Sequence, residues 1–504
     1  MTNEIAGIIV SGIDLSGMGG YVVRVIEKLM IIYFTSYFLI DIFLFVFALI
    51  LHQRINIKKN FGTDYSGHSV SIIVPAYNED VSIASCIKML AGIDYEDFEI
   101  IVVNDGSKDA TLKTMLGSFS FNEITPECYG QIKTGAIKKV YRDDSNKIIL
   151  IDKENGGKAD SVNAGLNLST KKYICTIDAD SILDDQAMKM VLQPMINNSK
   201  VFVAGGFLAA SNGLAIANGK ITNMKMPGNI WVLWQIVEYL KSFMIARLSL
   251  SKMNMLLIMS GAFSLYRKED LLHVGGLLTS ANDHPYIVRT VGANNKTVCE
   301  DMEIVIRLWR YYREKKIKGK VTYLPYPVCW TEVPDNHRSL FKQRARWHQG
   351  LGESLKLHRR IMFEPSYGAT GLLALPYYFI FEFLAPFIKL FSLVFLIILS
   401  AVKDINAQWI LLLLVSVLLI TTIIMSIISV VLESKSRNSH TIDRKTLRYN
   451  TFGDWLLLLV TSIIGSVSYE FFKMFAQLKG ITYILQRKSN WNKFDRKGIK
   501  TLKN

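Results

Sequence analysis

Two carboxylates one residue apart close the run KYICTIDADS at residues 172–181: Asp178 and Asp180. At the end of a strand such a pair can share a hard divalent cation, Mg2+ or Mn2+, whose remaining positions stay with water and diphosphate oxygens. A second stretch, NGGKADSVNA at 155–164, places two glycines and Lys158 where backbone N–H groups and an ammonium can meet phosphates. It is no Walker loop. Asp152 stands where the first glycine of that motif belongs, and Ala159 replaces its Ser or Thr. No GxGxxG follows a first strand, which disfavours a dinucleotide enzyme.

Strand and helix signals alternate from residue 70 and would position these groups. VSIIVPAY is a short buried-strand run, after which Asn78 and Asp80 are expected to cap a helix reaching about Leu90. FEIIVVND reads as a second strand followed by a helix from about Asp109, and KIILID as a third. ADSVNAGLNL reads as the next helix and KYICTIDAD as the fourth strand. β-branched runs alternating with helices predict an α/β domain with a mostly parallel sheet, whose ligands bind at the carboxyl ends of the strands. Asp105, Asp178 and Asp180 fall there. Each also has a plainer role. Asp105 precedes Gly106 and Ser107 and can simply shape a turn. Glu300 and Asp301 can be acids favoured at a helix N-terminus, Lys158 can be solvated, and Trp347 can be a membrane-interface aromatic.

The chain has 504 residues, 50% of them hydrophobic, and a net charge of +15. The apolar excess is concentrated near 30–51 and after 368, so the expected organisation is a flank (1–29), a transmembrane helix (30–51), a cytoplasmic domain (52–365), transmembrane or interfacial segments (366–478) and a basic tail (479–504). Met30–Leu51 is followed by Arg54, Lys58 and Lys59, which places the large domain on the cytoplasmic side. Gly368–Val402 contains Pro376 and Pro386 and is expected to be an interfacial helix running into a span, or a hairpin; Trp409–Leu432 and Trp455–Phe475 follow. Asp41 and Glu382 lie inside apolar stretches, where a lone acid is costly. The bases cluster beside these segments rather than alternating with aromatics, so no nucleic-acid partner is expected. The five cysteines form no CxxC pair or zinc spacing and read as buried thiols in a reducing compartment. Residues 1–29 carry no signal-peptide pattern.

Taken together, IIVPAYNED, VNDGSKD, NGGKADSVNAGL, DADS, CEDMEI and QRARW occur in order over residues 70–350. This order resembles the processive family 2 glycosyltransferases, the group of poly-N-acetylglucosamine, cellulose and hyaluronan synthases. The resemblance implies a GT-A catalytic domain that uses a UDP-sugar, with a divalent metal, Mg2+ or Mn2+, on Asp180. It implies that Asp105 contacts the uridine, that Pro75, Tyr77 and Glu79 line the same pocket, and that Lys158 approaches the nucleotide or diphosphate. Asp178 would face the nucleotide-sugar, and Asp301 would be the general base. Gln343, Arg346 and Trp347 form the QxxRW signature: Arg346 would stabilise the leaving diphosphate, and Trp347 would offer a flat face to the acceptor sugar. Ser260 and Gly261, in MSGAFSLYRK, would lie beneath the acceptor.

The implied activity is plasma-membrane polymerisation of a sugar, glucose or N-acetylglucosamine, into a β-linked polysaccharide with its export. The implied partners are the UDP-sugar, the growing polysaccharide or a lipid-linked acceptor, the bilayer and an accessory membrane subunit. Single addition to a lipid-linked acceptor is the alternative reading, and a non-catalytic membrane scaffold is a third.

Overall fold

The computed structural model describes residues 17–54, 63–126, 130, 132–217, 220–401, 408–412, 423 and 451–486. Its strands are β1 (Val70–Ala76), β2 (Phe98–Asp105), β3 (Phe121–Ile124), β4 (Ile137–Asp143), β5 (Ile148–Lys153), β6 (Tyr173–Ile177), β7 (Ile182–Leu183), β8 (Val201–Ala210), β9 (Leu214–Ala217), β10 (Lys220–Met224), β11 (Phe263–Arg267) and β12 (Lys320–Thr331). β9 and β10 pair with each other, and the other strands form one sheet in the order β3-β4-β5-β2-β1-β6-β11-β8-β12-β7. The central strands are apolar on both faces because helices cover both. Ile72, Ile73, Ile100 and Val102 are fully buried, and each such side chain stabilises the fold by about 1.5–3 kcal/mol.

The sheet is mixed, which corrects the expectation of a mostly parallel one. β5, β2, β1 and β6 run parallel, and β8 is parallel to β12. β4 runs against β5 and β3, β11 against both β6 and β8, and β7 against β12. A tight turn reverses β4. Asp143 Oδ1 accepts from Ile148 N at 2.7 Å, and Asn146 takes φ +59°, so β4 and β5 form a hairpin that can only be antiparallel. β11 is reversed because the chain enters it beside the carboxyl end of β6, where Asp178 N donates to Ala262 O at 3.3 Å. That entry brings Gly261 next to Asp178.

Asn78 and Asp80 do not cap the helix that follows β1, Ile83–Ala91. Asn78 takes φ +54° and its Oδ1 accepts from Lys108 N at 2.9 Å, while Asp80 N donates to Asp109 Oδ2. The two residues instead tie the end of β1 to the loop after β2.

The helices that matter for the site are α1 (Gly17–Arg54), α2 (Lys158–Leu168), α3 (Ile230–Tyr239), α4 (Glu300–Glu314), α5 (His337–Leu357), α6 (Phe452–Gly465) and α7 (Ser468–Leu485). α1 starts well before Met30 and holds a candidate span, Gly17–Leu51. It joins the domain where Ser249 Oγ donates to Leu44 O at 2.6 Å, and Asp41 faces Lys241 Nζ at 3.6 Å. Two further segments are long and apolar enough to cross a membrane only as bent pairs: Thr370–Phe383 with Ala385–Ser400 at 43°, and α6 with α7 at 53°. The stretch containing Pro376 and Pro386 is thus a bent helix rather than a hairpin. Most of Trp409–Leu432, residues 433–448 and the tail beyond 486 lie outside the described residues. α7 packs on α5 through a glycine: a Cβ on Gly480 would collide with Ala345 O.

Candidate active site

A cavity of about 950 Å3 opens at the carboxyl edge of the sheet. β1 contributes Pro75, with Tyr77 and Glu79 just beyond it, and β2 contributes Asp105. Lys158 comes from the start of α2, Asp178 from the end of β6, and Ser260 and Gly261 from the entry to β11. Asp301 sits in the first turn of α4, and Gln343, Arg346 and Trp347 lie along α5. Seven separate sequence stretches thus meet in one space. Asp180 stands just outside this lining: it is 6% exposed, and its Oδ2 accepts from Thr331 Oγ1 at 3.4 Å.

Asp105 does shape a turn, and the turn is the glycine loop. Its Oδ1 accepts from Gly156 N at 2.9 Å and its Oδ2 from Gly157 N at 2.8 Å, while Asn155 Nδ2 donates to Asp105 O at 2.8 Å. Gly157 takes φ +90°, a conformation open to glycine and strained for other residues. Beneath the loop, Lys153 is fully buried and bridges Asp105 Oδ1 at 2.8 Å and Asp160 Oδ1 at 2.6 Å. This lysine escaped the sequence reading, although a base closing an otherwise apolar strand run was a visible signal. Lys153→Met leaves two buried carboxylates without their cation, and removing one partner of a buried pair costs about 3–5 kcal/mol. Thermal unfolding of the purified variant should show a large loss of stability.

Lys158 Nζ lies 2.6 Å from Asp178 Oδ1 and 3.6 Å from Glu300 Oε1, and donates to Gly261 O at 3.0 Å. Burial opposes its charge, but Asp178, Glu300 and Asp301 outweigh burial and hold its pKa above the ordinary lysine value. Gly261 also donates through its backbone N–H to Asp301 Oδ2 at 3.0 Å. Burial and the neighbouring Glu300 push the Asp301 carboxyl up to about 6, against the pull of Lys158, Arg247 and the Gly261 N–H. A carboxyl tuned to this range ionises near neutral pH yet retains appreciable basicity, as proton abstraction requires.

Arg344 and Arg346 of α5 both line the cavity and differ in their partners. Arg346 lines the cavity, and among the described residues no protein group hydrogen-bonds its guanidinium. Arg344 is 3% exposed, pairs with Glu238 of α3 and lies 4.1 Å from the Trp347 ring centroid. Gln343 Oε1 accepts from Arg344. Lys473 and Gln477 of α7 and Glu382 also line the cavity; of these the sequence reading marked only Glu382. α5 meets α4 at a close approach, where a Cβ on Gly350 would collide with Cys299 Sγ. Gly350→Ala must push Cys299, two residues before Asp301. Overpacking of this kind costs about 1–3 kcal/mol, and misplacement of a reacting group by about 1 Å costs about 10²-fold in rate. Steady-state kinetics should therefore show the loss in kcat, with the folded protein still recovered.

Residues 71–119 match the family model described as glycosyl transferase family 2, and residues 136–350 the one described as glycosyltransferase like family 2. The chain belongs to glycosyltransferase family 2. The matched regions carry the glycine loop, the Asp178–Asp180 pair, Asp301 and the α5 signature. The mixed sheet, parallel at its centre, is the GT-A core of this glycosyltransferase.

Among curated proteins, the glycosyltransferase is 25% identical over 326 residues to the poly-β-1,6-N-acetyl-D-glucosamine synthase of Staphylococcus aureus strain COL, covering 64% of each chain. It is 25% identical over 288 residues to the Staphylococcus epidermidis synthase of the same name, covering 57% of this chain and 55% of that one. The match thus spans less than two thirds of these relatives. Among solved structures, a mannosyltransferase from Pyrobaculum calidifontis aligns at TM-score 0.47 and 15% identity, over 92% of this chain and all (100%) of the other. A glucosyl-3-phosphoglycerate synthase from Mycobacterium tuberculosis aligns at TM-score 0.33 and 13% identity, over 58% and 81%.

Proposed function

We propose that this glycosyltransferase polymerises a sugar, N-acetylglucosamine or glucose, from a UDP-sugar into a β-linked polysaccharide, with inversion at the anomeric carbon. One observation carries the reading. The Asp105-ordered glycine loop, Asp178, the Gly261-held carboxylate of Asp301 and the guanidinium of Arg346 share one cavity, which Lys473 and Gln477 of α7 also line. The partial likeness to the staphylococcal synthases supports it.

In this reading the glycine loop and Lys158 receive the diphosphate, while Pro75, Tyr77, Glu79 and Asp105 line the nucleotide end. The acceptor hydroxyl oxygen attacks the anomeric carbon as its proton passes to Asp301. The carbon–oxygen bond to the nucleotide breaks, and UDP leaves with the electron pair. Arg346 and Lys158 face the charge that develops on the diphosphate. Trp347 lies under the acceptor sugar, with Ser260 and Gly261 beside it. Gln343 holds the α5 end of the donor site.

Asp178 and Asp180 fit a divalent metal, Mg2+ or Mn2+. Among the described residues no cluster of three or more His, Cys, Asp and Glu side chains forms a complete cage. Two carboxylates suit an ion that draws its remaining ligands from diphosphate and water. Such an ion would supply charge neutralisation at the leaving group.

We place the domain on the cytoplasmic side of the plasma membrane with α1 as a span, on the length and apolarity of that helix and the bases that follow it. Export of the polymer along α7, and an accessory membrane subunit, belong to the same proposal. Calorimetry of UDP binding with and without Mn2+, followed by UDP release from a panel of UDP-sugars in lipid nanodiscs, tests it. Metal-dependent binding and one active donor are the expected result. Absence of UDP binding would favour a non-catalytic scaffold.

A further inference from the structure

We propose that Arg344 and Glu238 form a clamp that positions Trp347 for the growing chain and ties it to α7, so that they govern elongation rather than donor chemistry. The inference rests on the placing of Trp347 under the acceptor. Arg344 and Trp347 are three residues apart on one face of α5, and the guanidinium lies 4.1 Å from the indole centroid and 5.9 Å from that of Tyr239. Both Nη2 and Nε of Arg344 donate to Glu238 Oε2, at 2.5 and 3.1 Å. A guanidinium held by two hydrogen bonds cannot rotate away from the ring it covers.

Glu238 is also the anchor for α7. Tyr469 Oη donates to its Oε2 at 2.7 Å, and Lys473 Nζ lies 3.9 Å from its Oε1. Burial opposes the charge on Glu238, yet Arg344 and Lys473 keep its pKa below the ordinary value. The contact of Gly480 with Ala345 fixes the register of α7 beside the residue that follows Arg344. One carboxylate therefore joins the signature helix α5, the helix α3 and the candidate membrane helix α7. Among the described residues neither Arg344 nor Glu238 hydrogen-bonds or ion-pairs with the glycine loop, Asp178 or Asp301; their link to the donor site is the bond that Arg344 Nη1 donates to Gln343 Oε1. They are positioning residues.

Arg344→Met alone leaves Glu238 buried beside fewer cations and risks misfolding. The double variant Arg344→Met/Glu238→Gln removes both charges, and Arg344→Lys and Tyr469→Phe grade the effect. UDP affinity with Mn2+, UDP release and product length are read on each. For the double variant we expect continued UDP release, product length reduced about tenfold or more, and a much smaller loss of UDP affinity, about threefold at most, because Gln343 loses its Arg344 donor. Arg344→Lys and Tyr469→Phe should give intermediate lengths. Wild-type product length in the double variant overturns the clamp. Equal losses of UDP affinity and product length also overturn it, because a merely structural role predicts them. A wild-type chain that releases no UDP from any donor overturns the functional reading and the clamp together, whereas normal wild-type elongation with an unaffected double variant overturns the clamp alone.

Discussion

Asp301→Asn should reduce sugar transfer by about 10²–10⁴-fold, the usual contribution of a positioned general base, and leave UDP affinity near wild type. The substitution is close to isosteric. Its amide oxygen can still accept from Gly261 N, which Asp301 Oδ2 now does at 3.0 Å, so the entry to β11 and the contact of Lys158 with Gly261 O survive. What is lost is the ability to take a proton. The pH profile supplies an independent sign. Burial and Glu300 raise the Asp301 carboxyl to about 6, and only its ionised form can act as base. Activity should therefore be present above pH 6 and fall about tenfold per unit below it. Glu300→Gln removes one of the causes of the upward shift, so its acid limb should move to lower pH. An unmoved limb would show that another group titrates.

Arg346→Met is the second large effect, with kcat reduced by about 10²–10³-fold, the range for removing one preorganised charge-stabilising donor. Its stability should hardly change. Among the described residues no protein group hydrogen-bonds Arg346, so the substitution orphans nothing. The contrast with Arg344 is instructive, because that arginine is 3% exposed and ion-paired and its removal acts on the fold first. Arg346→Lys keeps the charge but not the planar fork that matches phosphate oxygens, so it should recover only part of the rate. Kinetics and thermal unfolding on the same preparations separate these arginines.

The central strands were legible because they are buried on both faces: VSIIVPA, FEIIVVND and YICTI read as continuous apolar or β-branched runs. The pairing of β3 with β4 was not, since β4 mixes the exposed Lys138, Lys139 and Arg142 with half-buried and buried residues in IKKVYRD and has no such run. The reversal of β11 follows from where the chain re-enters the sheet, which no local pattern encodes. Site residues in short motifs could be found one by one. The glycine loop's dependence on Lys153, and the clamp of Arg344 on Glu238, could not, because each joins segments 48 and 106 residues apart. Asn78 and Asp80 looked like helix caps for a related reason. Their side chains and amides are taken by the loop that follows β2, a tertiary partner that outcompetes the local one.

The reading as a polymerising synthase is tested most directly by the size of the product. Purified wild-type protein in lipid nanodiscs would receive a labelled UDP-sugar with Mg2+ or Mn2+, and the product would be sized against Asp301→Asn. The account predicts one active donor, a product of many sugars from the wild type, and none from the variant. A single sugar attached to lipid, or wild-type activity in Asp301→Asn, would contradict it.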